Sequence, residues 1–163
     1  MHENEAVALY GATDWAVVSE RSPIPHRAAF RWFTGVTLRW NDIDIFGHVN
    51  NARYYEFFDT AVLGFLHLRD LGLGTGKAAM VVAENGCRFH REIVFADRLE
   101  MGLRVEHIGT SSVRYGLAAF VNDNQDAAAS GHFIHVFVDP MTRRPAPLST
   151  PVREHLQTIL VTA

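Results

Sequence analysis

Residues 41–51 place carboxylates, a glycine, a histidine and paired asparagines close together in the sequence. Residues 51–68, which follow, have the apolar spacing of a helix, so first-turn backbone N–H groups and the positive end of a helix dipole come directly after this cluster. Such donors can hold a carbonyl oxygen that gains negative charge. Asp44, aimed at the same carbonyl from the loop, would complete an arrangement for acyl transfer.

Other residues of the cluster have expected roles of their own. Asn50 is a good helix-capping residue, and whichever asparagine caps the helix, the backbone amides near Asn50 and Asn51 are the expected donors. Gly47 permits backbone conformations and close approaches that a side chain would block. His48 is either a base or hydrogen-bond donor to the substrate or a residue that orients the loop, and the second role is favoured.

The elements that must position this cluster follow from the spacing of apolar residues. Residues 30–40 alternate in strand period, and residues 51–68 form an amphipathic helical pattern. Further strand-like segments lie at residues 80–95, 99–106, 113–121 and 132–138, and a short helix is predicted from about residue 152. Because the connections are short, we expect antiparallel pairing of consecutive strands. This order predicts an α+β fold with the long helix on one face of the sheet.

The chain is predicted to form one domain, because 163 residues suit a single hydrophobic core. Residues 1–27 show no sustained periodicity and end in a proline-containing segment. We therefore interpret residues 1–27 as an N-terminal extension laid on the domain, and residues 28–163 as the domain itself.

The composition argues against several classes of function. A formal charge of -3 leaves no broad basic surface for nucleic acid. No stretch approaches the roughly 18 apolar residues of a membrane span, and the N-terminus lacks the positive charge of a secretory signal. Cys87 has no cysteine partner, which suggests a reducing compartment, so we expect a cytoplasmic protein. His132 and His135 point to opposite faces of a predicted strand, and no metal site is expected.

Several segments together resemble a known family. Residues 39–44, residues 47–51, and Tyr54 with residues 57–59 resemble the signature of hot-dog-fold thioesterases related to 4-hydroxybenzoyl-CoA thioesterase. Residues 109–112 and 137–139 are also similar to that family, so the resemblance covers about residues 30–155.

The resemblance implies a hot-dog fold, in which an antiparallel sheet wraps around a long central helix, and hydrolysis of an acyl-CoA thioester. It implies that Asp44 is the catalytic carboxylate, as general base on water or as nucleophile, and that the amides near Asn50 and Asn51 polarise the carbonyl. The active sites would lie at the interface of a homodimer, often within a homotetramer. No cofactor is expected, because coenzyme A is part of the substrate. The expected substrate-binding residues, of which the arginines and the serine would contact pantetheine or phosphates, are Gly47, Tyr54, Arg88, Arg91 and Ser112.

Alternatives remain at the level of function and of single residues. The protein could act on acyl-carrier-protein thioesters, or bind acyl-CoA without turnover. The local residues alone leave Asp44 open between catalysis and stabilisation of the turn, whereas Asp42 is interpreted as structural. Residues 72–77 superficially suggest a phosphate loop, but their spacing is one residue short. Cys87 is interpreted as an inert strand residue and Asp59 as a helix-surface or salt-bridged carboxylate.

Overall fold

A long helix, α1 (Arg53–His67), packs against an antiparallel sheet in the computed structural model, which describes residues 23–67 and 79–161. Its apolar residues recur at three- and four-residue spacing, so one broad face of the helix is apolar. All of that face is buried, namely Tyr54, Phe57, Phe58, Ala61, Val62, Phe65 and Leu66. Phe58 and Leu66 are fully inaccessible, and a side chain of this kind contributes about 1.5–3 kcal/mol by leaving water.

The sheet has five strands, which are β1 (Trp32–Val36), β2 (Ala79–Phe89), β3 (Leu99–Ile108), β4 (Ser112–Val121) and β5 (Ala129–Val138). Their spatial order is β1-β3-β4-β5-β2, and every neighbouring pair is antiparallel. β3 shows why the sheet has a buried face: Leu103 and Val105 point into the core, while Arg104 and Glu106 alternate with them on the opposite face. A second helix, α2 (Thr150–Gln157), contacts β3.

β2 and β3 are consecutive in the chain but are not neighbours in the sheet, and the expectation that consecutive strands pair is wrong for them. β2 pairs with β5, and β3 pairs with β1 and β4. Residues 90–98 therefore cross from one side of the sheet to the other. Neighbouring strands lie about 4.8 Å apart, so nine residues of extended chain are long enough for this crossing. The predicted strand at residues 80–95 accordingly ends early, at Phe89.

The first strand also ends earlier than predicted, at Val36. The chain then forms a 3-10 turn at Trp40–Asp42, because the carboxylate of Asp42 accepts a hydrogen bond from the Arg39 backbone N–H at 2.7 Å. The helix begins at Arg53, two residues later than predicted. The α+β class and the sheet packed around a long helix are confirmed. The glycine-rich end predicted for this helix, at residues 71–76, lies outside the described residues.

The described part of the N-terminal extension lies along the loop between β4 and β5. The N–H of Arg27 donates to the carbonyl of Gln125 at 2.7 Å, and the N–H of Ala127 donates to the carbonyl of Pro25 at 3.0 Å. Residues 23–27 thus contact the domain. The boundary at residue 28 stays a prediction.

Candidate active site

The loop that carries Asp44 folds back on itself. The backbone N–H of Asp44 donates to the carbonyl of His48 at 2.8 Å, and the N–H of Gly47 donates to the carbonyl of Asp44 at 3.1 Å. Gly47 has a φ of 85°, in the left-handed region that glycine adopts without strain. One carboxylate oxygen of Asp44 accepts from the N–H of Phe46 at 2.8 Å. These bonds fix the position of the Asp44 side chain, which is partly exposed.

The crossing segment between β2 and β3 supports this loop from outside. The N–H of Val49 donates to the carbonyl of Ile93 at 2.8 Å, and His48 forms a backbone bridge with Val94. The His48 ring lies with Nε2 3.0 Å from a carboxylate oxygen of Glu92. These contacts are consistent with a loop-orienting role for His48, and a catalytic role for it stays a prediction.

Asp42 anchors the other side of the loop from a fully buried position. Its carboxylate accepts from the Arg39 backbone and guanidinium, at 2.7–3.3 Å, and lies 3.6 Å from the Arg53 guanidinium. Burial alone would raise the pKa of Asp42, but the hydrogen bonds from Arg39 and the two positive charges outweigh it and hold the pKa below its ordinary value. This environment supports the structural interpretation of Asp42.

The start of α1 presents a backbone donor to the same region. Asn50 accepts the Ala52 N–H on its side-chain oxygen at 3.0 Å and the Arg53 N–H on its carbonyl at 2.9 Å. Asn50 therefore satisfies the turn that begins the helix. Among the hydrogen bonds within the described residues, none uses the backbone N–H of Asn51. That N–H lies at the positive end of the helix dipole.

A cavity of about 430 Å³ joins these groups. Its lining residues are Asp44, His48, Val49, Asn51, Tyr54, Phe89, His90, Arg91 and Glu92. The cavity is thus lined by a carboxylate (Asp44), by the residue before the start of α1 (Asn51) and by an arginine (Arg91). The arrangement can polarise a carbonyl and place a carboxylate beside it, which is what acyl transfer to water needs.

Tyr54 and Phe89 form the apolar part of the cavity wall. Their rings pack edge to face with centroids 4.9 Å apart. Burial, and secondarily the nearby Cys87, raises the pKa of Tyr54 to about 12, so its hydroxyl stays protonated at neutral pH. Burial also raises the pKa of the Cys87 thiol to about 12, which agrees with the interpretation of Cys87 as inert. Tyr54 can therefore line the site but not act as a base there.

The predicted site residues divide into two groups. Asp44, His48, Asn51, Tyr54 and Arg91 line one cavity, while Gly47 and Asn50 shape its loop and helix start. The structure does not bring the remaining two, Arg88 and Ser112, into that cavity within one chain.

Arg88 and Ser112 lie in different places. Arg88 lines a separate groove. Ser112 pairs with Val136, whereas Phe89 is level with Ala129 at the other end of the same strand. About 3.3 Å per residue places Ser112 roughly 20 Å from the cavity end of the sheet. The roles expected for Arg88 and Ser112 stay predictions.

The sequence interpretation missed His90 and Glu92. His90 lies just beyond β2, and its ring Nε2 is 2.8 Å from the hydroxyl of Ser130. Burial, and next the positive charge of Arg88, lowers the pKa of His90, so its ring is neutral at neutral pH. Because the predicted strand ran to residue 95, both residues were assigned to the strand and not to a loop beside the cavity. The three polar residues in succession at 90–92 were the available signal that the strand had ended.

Between residues 23 and 67 and between 79 and 161, no three His, Cys, Asp or Glu side chains group as metal ligands would. In the same ranges, no helix has the length and apolar character needed to cross a membrane.

His132 and His135 do face opposite sides of β5, as expected. His132 meets Glu84 with Nε2 2.8 Å from its carboxylate, whereas His135 is 1% exposed.

Comparison with known proteins gives consistent matches. The model of the thioesterase-like superfamily matches residues 38–156. The crystal structure of the PA5185 protein from Pseudomonas aeruginosa is 40% identical and superposes with a TM-score of 0.81, covering 86% of this chain and 99% of that one. The long-chain acyl-CoA thioesterase FadM of Escherichia coli is 25% identical, over 76% of this chain and 96% of FadM. The protein YsmA of Bacillus subtilis is 23% identical over 53% of this chain, and the match spans only 59% of YsmA.

Proposed function

Because the chain belongs to the thioesterase-like superfamily, we propose that it hydrolyses an acyl-CoA thioester to the free acid and coenzyme A. The observation that carries this proposal is the cavity that Asp44 and Asn51 both line, since no hydrogen bond within the described residues uses the Asn51 N–H. FadM, which is similar along most of this chain, is a long-chain acyl-CoA thioesterase, and this supports a CoA thioester as the substrate class.

In the proposed reaction, the thioester carbonyl oxygen accepts a hydrogen bond from the Asn51 N–H. Negative charge that develops on this oxygen is stabilised by the donor and by the helix dipole behind it. Asp44 then acts in one of two ways. As a general base, it removes a proton from a water that attacks the carbonyl carbon; as a nucleophile, it forms an acyl-enzyme anhydride that water hydrolyses. In both routes the carbon–sulfur bond breaks and the CoA thiolate leaves and is protonated.

We propose that the protein works as a homodimer or homotetramer. β2 is an edge strand of 11 residues, one side of which pairs with no other strand in the described part of the chain, and long edges of this kind pair readily with a second chain. The loop beside the cavity also exposes apolar residues: Ile45 is 94% exposed, Phe46 75% and Trp40 76%. Apolar groups clustered beside an open cavity fit contact with another subunit. The single Cys87 fits our proposal of a cytoplasmic location.

Release of free thiol from a panel of aliphatic and aromatic acyl-CoAs tests the proposal, with Asp44→Asn measured beside the unaltered protein. We expect hydrolysis of at least one acyl-CoA and a loss of at least about 100-fold in kcat in Asp44→Asn. Full activity in Asp44→Asn would refute the catalytic assignment.

The same panel separates the two alternative functions. Binding of acyl-CoA with no thiol release would indicate a noncatalytic acyl-CoA-binding protein. Turnover of acyl-carrier-protein thioesters but not of the matching acyl-CoAs would indicate a carrier-protein thioesterase.

A further inference from the structure

A groove of about 520 Å³ lies on the face of the sheet that points away from α1. The side chains that enter it from β3 and β4 alternate with core residues, as Arg104 does with the buried Leu103 and Arg114 with the buried Tyr115. Its lining includes three arginines and one glutamate, namely Arg88, Arg104, Arg114 and Glu106. Three arginines outnumber Glu106 in the lining and Glu84 beside it, which lies 3.9 Å from Arg114 and 2.8 Å from His132, so the groove is positive in a chain whose formal charge is -3.

The floor of the groove is one row across four strands. Gly86 pairs with His132, His132 with Gly116, and Gly116 with Arg104. At Gly116 a Cβ would lie 2.7 Å from Nε of Arg104 and 2.5 Å from a carboxylate oxygen of Glu106. Only glycine at this position leaves room for the arginine and the glutamate to lie across β4.

The arginines are held in place before any ligand binds. Arg104 donates from its guanidinium to one oxygen of Glu106 at 2.7 and 3.0 Å, and Arg114 donates to the other oxygen at 3.1 Å. The Arg104 guanidinium also lies over the ring of Phe30, 5.0 Å from its centroid. A guanidinium has five N–H donors, so Arg104 and Arg114 keep donors beyond those that Glu106 uses. Pre-ordered arginines lose less entropy when they bind a phosphate.

His90 connects the groove to the candidate active site, because it lines both the groove and the cavity that contains Asp44. Its ring is fixed by the hydroxyl of Ser130, which also lines the groove. The two spaces thus meet at the end of β2. A ligand whose reactive end lies beside Asp44 can continue past His90 to the arginines.

We propose that this groove binds the phosphates of the coenzyme A nucleotide while the thioester lies beside Asp44. Coenzyme A carries its phosphates at the far end of the pantetheine arm, so they must bind outside the cavity that holds the reacting group. Guanidinium groups bind phosphate oxygens through paired, charge-assisted hydrogen bonds. The proposal rests on the proposed function, since it assigns a part of the same substrate.

Kinetics with two substrates of the same acyl group test it: acyl-CoA and acyl-pantetheine, which lacks the nucleotide. In Arg114→Gln and Arg88→Gln we expect KM for acyl-CoA to rise about tenfold, the usual loss for a charged hydrogen bond. KM for acyl-pantetheine should change less than about twofold by the same reasoning. Arg98→Gln is the matched control, because Arg98 lies in another hollow and pairs with Asp123. Equal effects on both substrates, or none on either, overturn the proposal.

Calorimetric titration with 3′,5′-ADP separates this proposal from the proposed function. Binding by the full chain that weakens about tenfold in Arg114→Gln but not in Arg98→Gln supports the groove even if no thioester is hydrolysed. If acyl-CoA is hydrolysed but 3′,5′-ADP binding is the same in all variants, the groove assignment fails and the proposed function stands. A preference for acyl-carrier-protein substrates that requires the same arginines would overturn the assignment to a nucleotide.

Discussion

The carboxylate of Asp44 accepts a hydrogen bond from the backbone N–H of Phe46 at 2.8 Å, so one side chain both shapes the loop and faces the cavity. Asparagine keeps the side-chain oxygen that accepts this bond but loses the negative charge. We therefore expect Asp44→Asn to keep the free energy of unfolding within about 0.5 kcal/mol, while Asp44→Ala lowers it by about 1 kcal/mol. Urea unfolding measures the difference. Equal stability of the two variants would mean that the loop does not depend on this bond.

Asp42 should matter for stability rather than for chemistry. Its carboxylate is fully buried and accepts charge-assisted hydrogen bonds from Arg39, so Asp42→Asn removes the buried charge that both arginines approach, although Glu56 still pairs with them at the surface. We expect a loss of about 1.5–3 kcal/mol in the free energy of unfolding, because the lost bonds are charged hydrogen bonds to a buried acceptor. Glu56→Gln is the control, since Glu56 pairs with the same arginines at the surface and should lower the stability much less. Comparable losses in urea unfolding would contradict the anchor role.

Gly47 is expected to tolerate no other residue without strain. Its φ of 85° is unfavourable for any side chain, although a Cβ there would meet no atom within 4 Å. Gly47→Ala should therefore cost about 1–2 kcal/mol through backbone strain alone and lower kcat by displacing Asp44. Gly35→Ala has the same free space and no positive φ, so it should change stability by less than about 0.5 kcal/mol. A harmless Gly47→Ala would show that the loop adopts another conformation.

The stability of the fold should fall with acid because of His135. Its ring is buried against Tyr115 and Phe133, and neither ring nitrogen has a hydrogen-bond partner within the part of the chain described. Burial lowers the pKa of His135 to about 4 from an ordinary value of 6.5. Above pH 6.5 both states are neutral; below it only the unfolded state takes up the proton, so stability is lost between pH 6.5 and 4.

This loss should reach about 3 kcal/mol and be absent in His135→Phe, which keeps an aromatic ring without the titrating nitrogens. Urea unfolding of both proteins between pH 7 and pH 4 measures the difference, since every other titrating group is common to the two. If the stability of the two proteins changes in parallel with pH, the His135 ring must have a hydrogen-bond partner outside the described residues.

The exposed apolar loop residues should control assembly. If a second copy covers them, Phe46→Asp places a charge in that contact and should weaken the oligomer at least about tenfold. Met141→Asp is the control, because Met141 is 89% exposed and follows β5 at the other end of the sheet. Sedimentation equilibrium of the full chain measures both. A monomeric wild type, or equal association of the two variants, would contradict the proposed oligomer.

Much of the fold follows from one-sided burial, which the sequence displays directly. β3 alternates between core residues such as Met101 and outward residues such as Glu100, and α1 buries a face at helical spacing. Pairing order is different, because it depends on contacts between distant segments. A short connection favours neighbouring strands, yet residues 90–98 connect β2 to β3, which lie three positions apart in the sheet, and no local sequence pattern indicates this.

The candidate site divides in the same way, into local features that the sequence indicates and distant contacts that it does not. Residues 44–54 are local, so their shared cavity follows from a loop that precedes a helix. His90 and Glu92 reach the loop only through the crossing segment, and their presence depends on the unpredicted strand order. Ser112 is different: this motif residue lies at the end of the sheet away from the cavity within this chain, and its expected role stays a prediction.

The crossing of β2 to the outer position has a consequence for synthesis on the ribosome. Among the described strands β2 pairs with β5 alone, so Ala79 cannot pair until Val138 has been synthesised. β1 likewise cannot pair until β3 is made, since Val36 pairs with Leu99. Such distant pairings are slow, because a long loop must close before any contact forms. The nascent chain therefore holds two unpaired strands until most of it has emerged. Return of the proposed thioesterase activity after refolding should then follow, rather than precede, the completion of the sheet.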